Sequence, residues 1–110
     1  MGKSDSLGEF EQVVLLALIR LRANAYGTSI RQEIAERTGR DVSVGAVYTT
    51  LERMQQKGFV SSARGAPTPE RGGRAKRYYK IEAPGERALQ RSRETMDRMW
   101  AGLVPSPSAG

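Results

Sequence analysis

A short stretch between two β-favouring segments constrains the fold of this chain more than any other feature. Residues 64–74 contain three glycines, two prolines and three arginines. The prolines cannot donate backbone hydrogen bonds to a neighbouring strand, so this stretch is a loop. The segments on either side, 59–63 and 75–81, are predicted strands, and the second contains the β-favouring Tyr78 and Tyr79. The sequence therefore predicts a hairpin with a long, basic, glycine-rich tip.

Two helices are predicted at the start of the chain. The first begins at Ser6–Glu9, which has the spacing of a capping box, and continues through apolar residues at helical spacing to Leu21. Because this helix is apolar around most of its circumference, we expect a second subunit to cover the side that its own fold leaves open. The second helix is capped by Thr28 or Ser29 and ends at Gly39.

Two further helices flank the predicted hairpin. The third is capped by Ser43 and ended by Gly58, with one inward apolar face. Its opposite face is predicted to display small, hydroxyl-bearing or basic side chains, namely Ala46, Thr49, Thr50, Arg53 and Lys57. The fourth opens at Ala83–Glu86, where proline is tolerated in the first turn, and continues through Leu103.

The order helix, helix, helix, strand, basic loop, strand is that of a winged helix-turn-helix. The predicted fold class is therefore mostly α (α+β with a small wing), a winged helix-turn-helix with an added C-terminal dimerisation helix. We expect a DNA-binding domain over residues 1–82, a dimerisation helix of the same unit over 83–104, and a disordered tail over 105–110.

The net charge of +6 is concentrated in the middle of the chain. Residues 1–42 carry six basic and six acidic side chains, whereas residues 43–82 carry eight basic and three acidic ones, a net charge of +5. Such a concentration is typical of a protein that binds a polyanion. The alternative is a solvated basic loop that only keeps the protein in solution.

The composition also bears on chemistry and location. The chain has no cysteine and no histidine, which removes the commonest zinc ligands and the usual general base. We therefore expect no metal site, no cofactor and no enzymatic activity. The longest apolar run, Val13–Ile19, is too short to span a membrane, and no export signal is visible, so we expect a cytoplasmic protein without membrane contact.

Three segments of the chain match a known family in order and separation. They are Ala25–Gly27, then Gly45–Met54 with Lys57–Val60, then Arg74–Ile81 with Pro84–Gly85. Together they resemble the PadR-like family of transcriptional regulators in its short form, and the similarity runs from about Phe10 to Met99. Any one segment is weakly diagnostic, but the three together are specific.

The resemblance implies a dimeric winged-helix repressor whose C-terminal helix pairs with the N-terminal helix of the partner subunit. It implies that Ser43–Thr50 reads bases, that Tyr26 lies near a phosphate, and that Tyr78 and Tyr79 brace the wing. Several members of the family respond to small aromatic or amphipathic compounds. Two features depart from the family pattern: Glu82-Ala83 replaces its usual threonine, and one helix replaces the larger C-terminal domain of longer members.

Three groups of candidate site residues follow. The recognition-helix group, whose polar members can hydrogen-bond to base edges, is Ser43, Ala46, Thr49, Thr50 and Arg53. The backbone and wing group, expected to contact phosphates, is Tyr26, Lys57, Arg64, Arg71, Arg74, Lys76 and Arg77. The group for a dimer interface or effector cleft, for which plain packing is the alternative, is Phe10, Val14, Met96, Met99 and Trp100.

These observations together favour a sequence-specific regulator that binds double-stranded DNA at an inverted-repeat operator as a homodimer. We expect a repressor, released by a small aromatic or hydrophobic effector. Two alternatives stay open. One is a constitutive DNA-binding protein without an effector, and the other is a protein-interaction module whose basic hairpin docks on an acidic protein surface.

Overall fold

A computed structural model describes residues 6–65 and 76–103, and its elements follow the predicted order. The helices are α1 (Glu9–Leu21), a short 3₁₀ helix (Arg22–Asn24), α2 (Gly27–Thr38), α3 (Val44–Gln56) and α4 (Ala83–Trp100). The strands are β1 (Val60–Arg64) and β2 (Arg77–Ile81). The predicted fold class, mostly α with a small β wing, is confirmed. The predicted loop tip and tail fall largely outside the described residues.

The cap of helix α1 lies two residues later than predicted, because Gly8 rather than Ser6 precedes the first turn. The Glu11 carboxylate accepts a hydrogen bond from the Gly8 N–H at 2.9 Å, which is the acidic half of a capping box without the hydroxyl half. Leu16 and Ile19 remain 48% and 44% exposed, so this single chain leaves one apolar side of α1 uncovered. The buried apolar residues of α1 are Val14, Leu15, Ala17 and Leu18.

Helix α2 begins after Tyr26, so the prediction that Thr28 or Ser29 caps it is wrong. The reason is that Ser29 stabilises the start from inside the first turn. Its Oγ accepts the Tyr26 N–H at 2.9 Å and donates to the Asn24 carbonyl at 2.7 Å. The predicted end is confirmed, since Gly39 follows the helix with a left-handed φ of 74°.

Helix α3 has both of its predicted ends. The Ser43 Oγ accepts the Ala46 N–H at 3.0 Å, which confirms the predicted cap. Gly58 adopts a φ of 81° directly after Lys57, the residue that caps the end of the helix. The Phe59 N–H then bonds to the Met54 carbonyl at 2.9 Å, so Phe59 closes α3 and the first strand starts one residue later than predicted.

The hairpin is attached to the helices along the outer side of its second strand. β1 and β2 pair antiparallel. On the other side of β2, the Tyr79 N–H donates to the Ala25 carbonyl at 2.9 Å. The Tyr79 ring is 9% exposed, and burial raises the pKa of its phenol above the ordinary 10.0. The hairpin of β1 and β2 forms the wing, and the end of the wing nearest the helices is therefore a fixed part of the domain.

The hydrophobic core draws on all four α-helices and both strands, but unequally. Helices α1, α2 and α3 and the hairpin supply nearly all of it. Full burial of one large apolar side chain contributes about 1.5–3 kcal/mol to the free energy of unfolding. Helix α4 supplies only Ala88 to the set of buried hydrophobic residues, so its packing within one chain is slight. The largest fully buried side chains are Leu15, Ile30, Ile34, Leu51, Met54, Val14 and Val47.

The start of α4 is fixed against the start of β1. The Glu82 N–H donates to the Phe59 carbonyl at 2.8 Å, and the Ser61 hydroxyl donates to the Glu82 carboxylate. Gly85 then passes so close that a Cβ there would lie 2.4 Å from the Phe59 carbonyl oxygen. From residue 93 to residue 103 every residue is exposed, so the second half of α4 extends away from the core.

Replacing Gly85 by alanine tests this close approach. We expect Gly85→Ala to lower the free energy of unfolding by about 1–3 kcal/mol, because the new methyl group meets backbone atoms that cannot rotate away. Urea unfolding at a fixed protein concentration measures the change. Gly45→Ala is the control, since a Cβ there would have the Ser43 Oγ as its nearest neighbour, at 3.8 Å, and should be neutral or stabilising. Equal stability of the two variants contradicts the expectation.

Candidate nucleic-acid interface

The outward face of α3 carries four of its five predicted base-contact residues. Ser43, Ala46, Thr49 and Arg53 are all exposed. Ala46, Thr49 and Arg53 are spaced at three and four residues, which places them along one stripe of the helix. The first two have small side chains, so a ligand can approach the N-terminal half of α3 closely.

Thr50 is the exception, and its predicted position on the outward face is wrong. It is 4% exposed. The physical reason is helical geometry, since Val47, Thr50, Leu51 and Met54 recur at the spacing of one face and are all buried. Thr50 is thus a polar member of the inner stripe, and the candidate set for base contact is reduced to the exposed residues.

The base of the wing lies against the start of α2. The ring of Tyr26 packs edge-to-face on Tyr78 at a centroid distance of 5.6 Å, and the Lys76 ammonium lies 4.5 Å from the centre of the Tyr26 ring. Tyr79 is tilted against Tyr48 of α3 at 6.4 Å. Both wing tyrosines therefore contact residues of the helical part, in agreement with the bracing role that the resemblance implies.

Basic side chains face each other at the outer end of the hairpin. Arg64 and Arg77 are directly opposite in the strand register, and both are exposed. Like charges in this relation repel, and the Arg77 guanidinium instead donates to the Ser62 hydroxyl at 3.0 Å. A polyanion lying along this end of the wing would relieve the repulsion. The predicted contacts Arg71 and Arg74 lie outside the described residues.

Glu11 is a buried carboxylate that binds the C-terminal half of α3. Its side chain is 9% exposed, and its Oε2 lies 3.1 Å from the Arg53 Nε and 3.6 Å from the Lys57 Nζ. Burial alone would raise the pKa of this carboxyl. The hydrogen bond from Gly8 and the charges of Arg53 and Lys57 outweigh burial and lower the pKa below its ordinary 4.5.

The role of Glu11 was missed in the sequence, although a signal was present. Position 11 precedes Val14, Leu15 and Leu18 by three, four and seven residues, so it belongs to the buried face of α1. A carboxylate on a buried face needs a cationic or hydrogen-bonding partner. The pattern thus indicated that a partner exists but not which of the chain's cations supplies it.

A groove of about 820 Å³ runs between α1 and α4 on another side of the molecule. Met96 and Trp100 of the predicted cleft group line it and are 51% and 52% exposed, while Met99 is 69% exposed. Leu16 and Ile19 of α1 form part of its apolar wall.

Two predicted members of the cleft group lie elsewhere. The placement of Val14 is wrong, because this side chain is 0% exposed and packs in the core of its own chain. Phe10 is half-buried against the core, with the Arg40 guanidinium 5.9 Å from its ring centre. Helical spacing grouped both residues with the cleft because it does not distinguish a face packed internally from one left open.

Residues 6–65 and 76–103 contain no group of three or more acidic, histidine or cysteine side chains arranged to hold a metal ion. No helix in the same ranges combines the length and the apolar character needed to cross a membrane.

The lowered pKa of Glu11 predicts a pH-dependent contribution to stability. Because the folded pKa lies below 4.5, the contribution is present above that pH and is lost as the pH falls through the folded pKa. We expect Glu11→Gln to lower the free energy of unfolding by about 1–3 kcal/mol near neutral pH, with a smaller difference in acid. Urea unfolding of both proteins across this pH range measures it.

Glu9→Gln is the matched control, since it removes a carboxylate of the same helix that pairs with Arg40 at the surface. Such exposed pairs contribute at most about 1 kcal/mol. A constant difference between wild type and Glu11→Gln at every pH contradicts the assignment.

The fold is shared with several solved structures, among them transcription regulators of the PadR type. A PadR-like transcription factor from Bacteroides fragilis is 22% identical, covers 82% of this chain and 82% of its own length, and superposes with a TM-score of 0.68. A PadR family regulator from Eggerthella lenta is 22% identical over 86% of this chain and 82% of its own, with a TM-score of 0.67. RosR of H. salinarum is 22% identical over 89% and 81%, with a TM-score of 0.66.

No curated protein sequence matches the chain significantly. The model of the transcriptional regulator PadR-like family matches residues 15–91. That range contains the helix-turn-helix, the wing and the first half of α4. The PadR-type structures with the same fold are named as transcription factors or regulators, not as enzymes. The chain therefore belongs to the PadR-like family of transcriptional regulators.

Proposed function

We propose that this protein is a sequence-specific repressor that binds double-stranded DNA in the cytoplasm as a homodimer. The observation that carries the proposal is the outward stripe of α3, where Ala46, Thr49 and Arg53 are exposed on a helix whose inner face is fully packed. A helix supported in this way can enter the major groove, which is about 12 Å wide, and read base edges with its N-terminal residues.

The polar groups of the stripe divide between two kinds of contact. Ser43 caps α3 and Thr49 lies in its first half, and the hydroxyl groups of both can donate to or accept from base edges. Arg53 and Lys57 lie farther along α3, and we expect them to contact backbone phosphates rather than base edges. Ala46 offers a methyl group that can contact thymine. Sequence preference in this proposal comes from the first half of α3.

The wing supplies the sequence-independent part of the interaction. Arg64, Lys76 and Arg77 gather at the described end of the hairpin. The sequence between them also contains Arg71 and Arg74, which fall outside the described residues. Contacts of this kind position a protein on DNA without reading its sequence. Tyr26, at the start of α2 and in contact with the wing base, completes the proposed phosphate-binding edge.

The proposed dimer uses the uncovered surfaces of α1 and α4. Leu16 and Ile19 face the same groove as Met96 and Trp100, and all four side chains are at least 44% exposed in the single chain. Helix α4 contributes one residue to the buried hydrophobic core, so a second copy would supply the packing that its C-terminal half lacks. Symmetric half-sites then require the two α3 helices to lie about 34–36 Å apart.

An effector that changes this dimer geometry would release the DNA. The groove offers Met96, a side chain type that adapts to varied apolar ligands, and Trp100, whose flat ring can stack on an aromatic compound. The ligand must bind the two dimer arrangements with different affinities to shift the equilibrium. We therefore place the proposed site for a small aromatic or hydrophobic effector in the groove between α1 and α4.

Selection of bound sequences from a random double-stranded DNA pool tests the DNA-binding proposal. We expect an enriched inverted repeat, and binding to it should weaken with salt by about 0.9 log units of affinity per log unit of salt for each neutralised phosphate. Selection at two salt concentrations measures both. Salt-sensitive binding without an enriched motif would leave a non-specific nucleic-acid binder, and failure to bind DNA at low salt would favour a protein partner for the hairpin.

Trp100, the single tryptophan of the chain, reports on the effector site. We expect aromatic compounds to quench or shift its fluorescence saturably and to lower affinity for the selected operator at the same concentrations. Titration of a compound panel, with and without operator DNA, measures both effects. A flat fluorescence signal from a broad panel, together with unchanged DNA affinity, would support the constitutive alternative without an effector.

A further inference from the structure

The contact between Glu11 and Arg53 leaves part of the arginine available. The Arg53 Nε donates to Glu11 Oε2 at 3.1 Å. Within the described ranges this is the only hydrogen bond that the Arg53 side chain makes, so its two terminal nitrogens have no partner there. The side chain is 50% exposed. The Arg53 guanidinium is therefore held through its Nε, and its two terminal nitrogens remain available to a ligand from solvent.

The carboxylate that holds Arg53 is itself fixed. Its other oxygen, Oε1, accepts the Gly8 N–H at 2.9 Å, and its side chain is 9% exposed. Both oxygens are thus engaged, one with the first turn of α1 and one with α3. A long arginine side chain loses rotamer freedom when it binds a ligand, and a fixed carboxylate removes part of that loss in advance.

The position of Arg53 connects this pair to the outward stripe. It follows Thr49 by four residues on the exposed face of α3, which places it one turn farther along the proposed DNA-binding surface. A guanidinium fork with two free terminal nitrogens matches the oxygens of one phosphate group. Lys57, at 3.6 Å from the same carboxylate, has a compact charge and no such fork.

We propose that Glu11 is a positioning residue for DNA binding, which holds Arg53 by its Nε so that its terminal nitrogens bind a backbone phosphate. This inference rests on the proposed function. It assigns a role in DNA affinity to a buried acidic residue of α1, a residue that does not itself touch the DNA.

The test measures binding to a short mixed-sequence DNA duplex by fluorescence anisotropy at several salt concentrations. Each variant is first compared with wild type by circular dichroism and thermal unfolding. Glu11→Gln should weaken binding about tenfold relative to the charge-matched control Glu9→Gln. It should also reduce the salt slope by about 0.9 for each phosphate that the protein no longer neutralises. Glu11→Asp keeps the charge but shortens the side chain, so it should weaken DNA binding in the same way. It replaces Glu11→Gln in the test if Glu11→Gln folds poorly.

Two variants of the partner complete the experiment. Arg53→Lys keeps the positive charge but lacks the fork, so it should lower the affinity as well. In an Arg53→Gln background, Glu11→Gln should cause no further decrease in affinity, because the two residues act as one unit.

Three results would overturn the inference. Equal affinity of Glu11→Gln and Glu9→Gln, with a lowered melting temperature for Glu11→Gln, means that Glu11 is only structural. Tighter binding and a steeper salt slope for Glu11→Gln mean that the carboxylate competes with phosphate for Arg53. If wild type binds no duplex at low salt, the proposed function fails, and the role of Glu11 fails with it.

Discussion

Helix α3 must bury one face in the core and keep the opposite face in solvent, and the rest of the domain is arranged to meet both requirements. Its inner stripe of Val47, Thr50, Leu51 and Met54 is buried among the other elements. Its outer stripe carries Ala46 and Thr49 and remains in solvent. Protein interiors pack densely and resist displacement, so a helix that buries one full face is held firmly in orientation. The exposed stripe is thereby presented on a rigid support.

Helical periodicity, together with β-favouring segments on either side of a proline- and glycine-rich loop, was enough to predict the order of the α-helices and strands, because these signals lie within each element. Cap and stop residues such as Ser43 and Gly39 act through their immediate neighbours, so their roles were also predictable. The start of α2 was not, since Ser29 bonds to Tyr26 and Asn24 from within the first turn. The local sequence does not show whether the Thr28 or the Ser29 hydroxyl bonds to the backbone at the start of α2. It also does not show whether that residue precedes the helix or lies within its first turn.

The candidate site was predicted less completely, for a different physical reason. Thr50 is polar and was therefore assigned to the outside, although its spacing from Val47 and Leu51 places it inside. Val14 is apolar and was assigned to a cleft, although its face of α1 is covered by the same chain. The partner of Glu11 depends on packing between α1 and α3, and such long-range contacts have no signature in either helix alone.

The bond between Tyr79 and Ala25 affects how copies of this chain can associate. An open strand edge is a template on which another chain can add a strand, a common route to aggregation. Here the outer edge of β2 is engaged at Tyr79 by the segment before α2, and β2 is only five residues long. The wing is thus poorly suited to edge-to-edge addition at that strand. Strand addition at this edge of β2 therefore does not compete with the proposed pairing through α1 and α4.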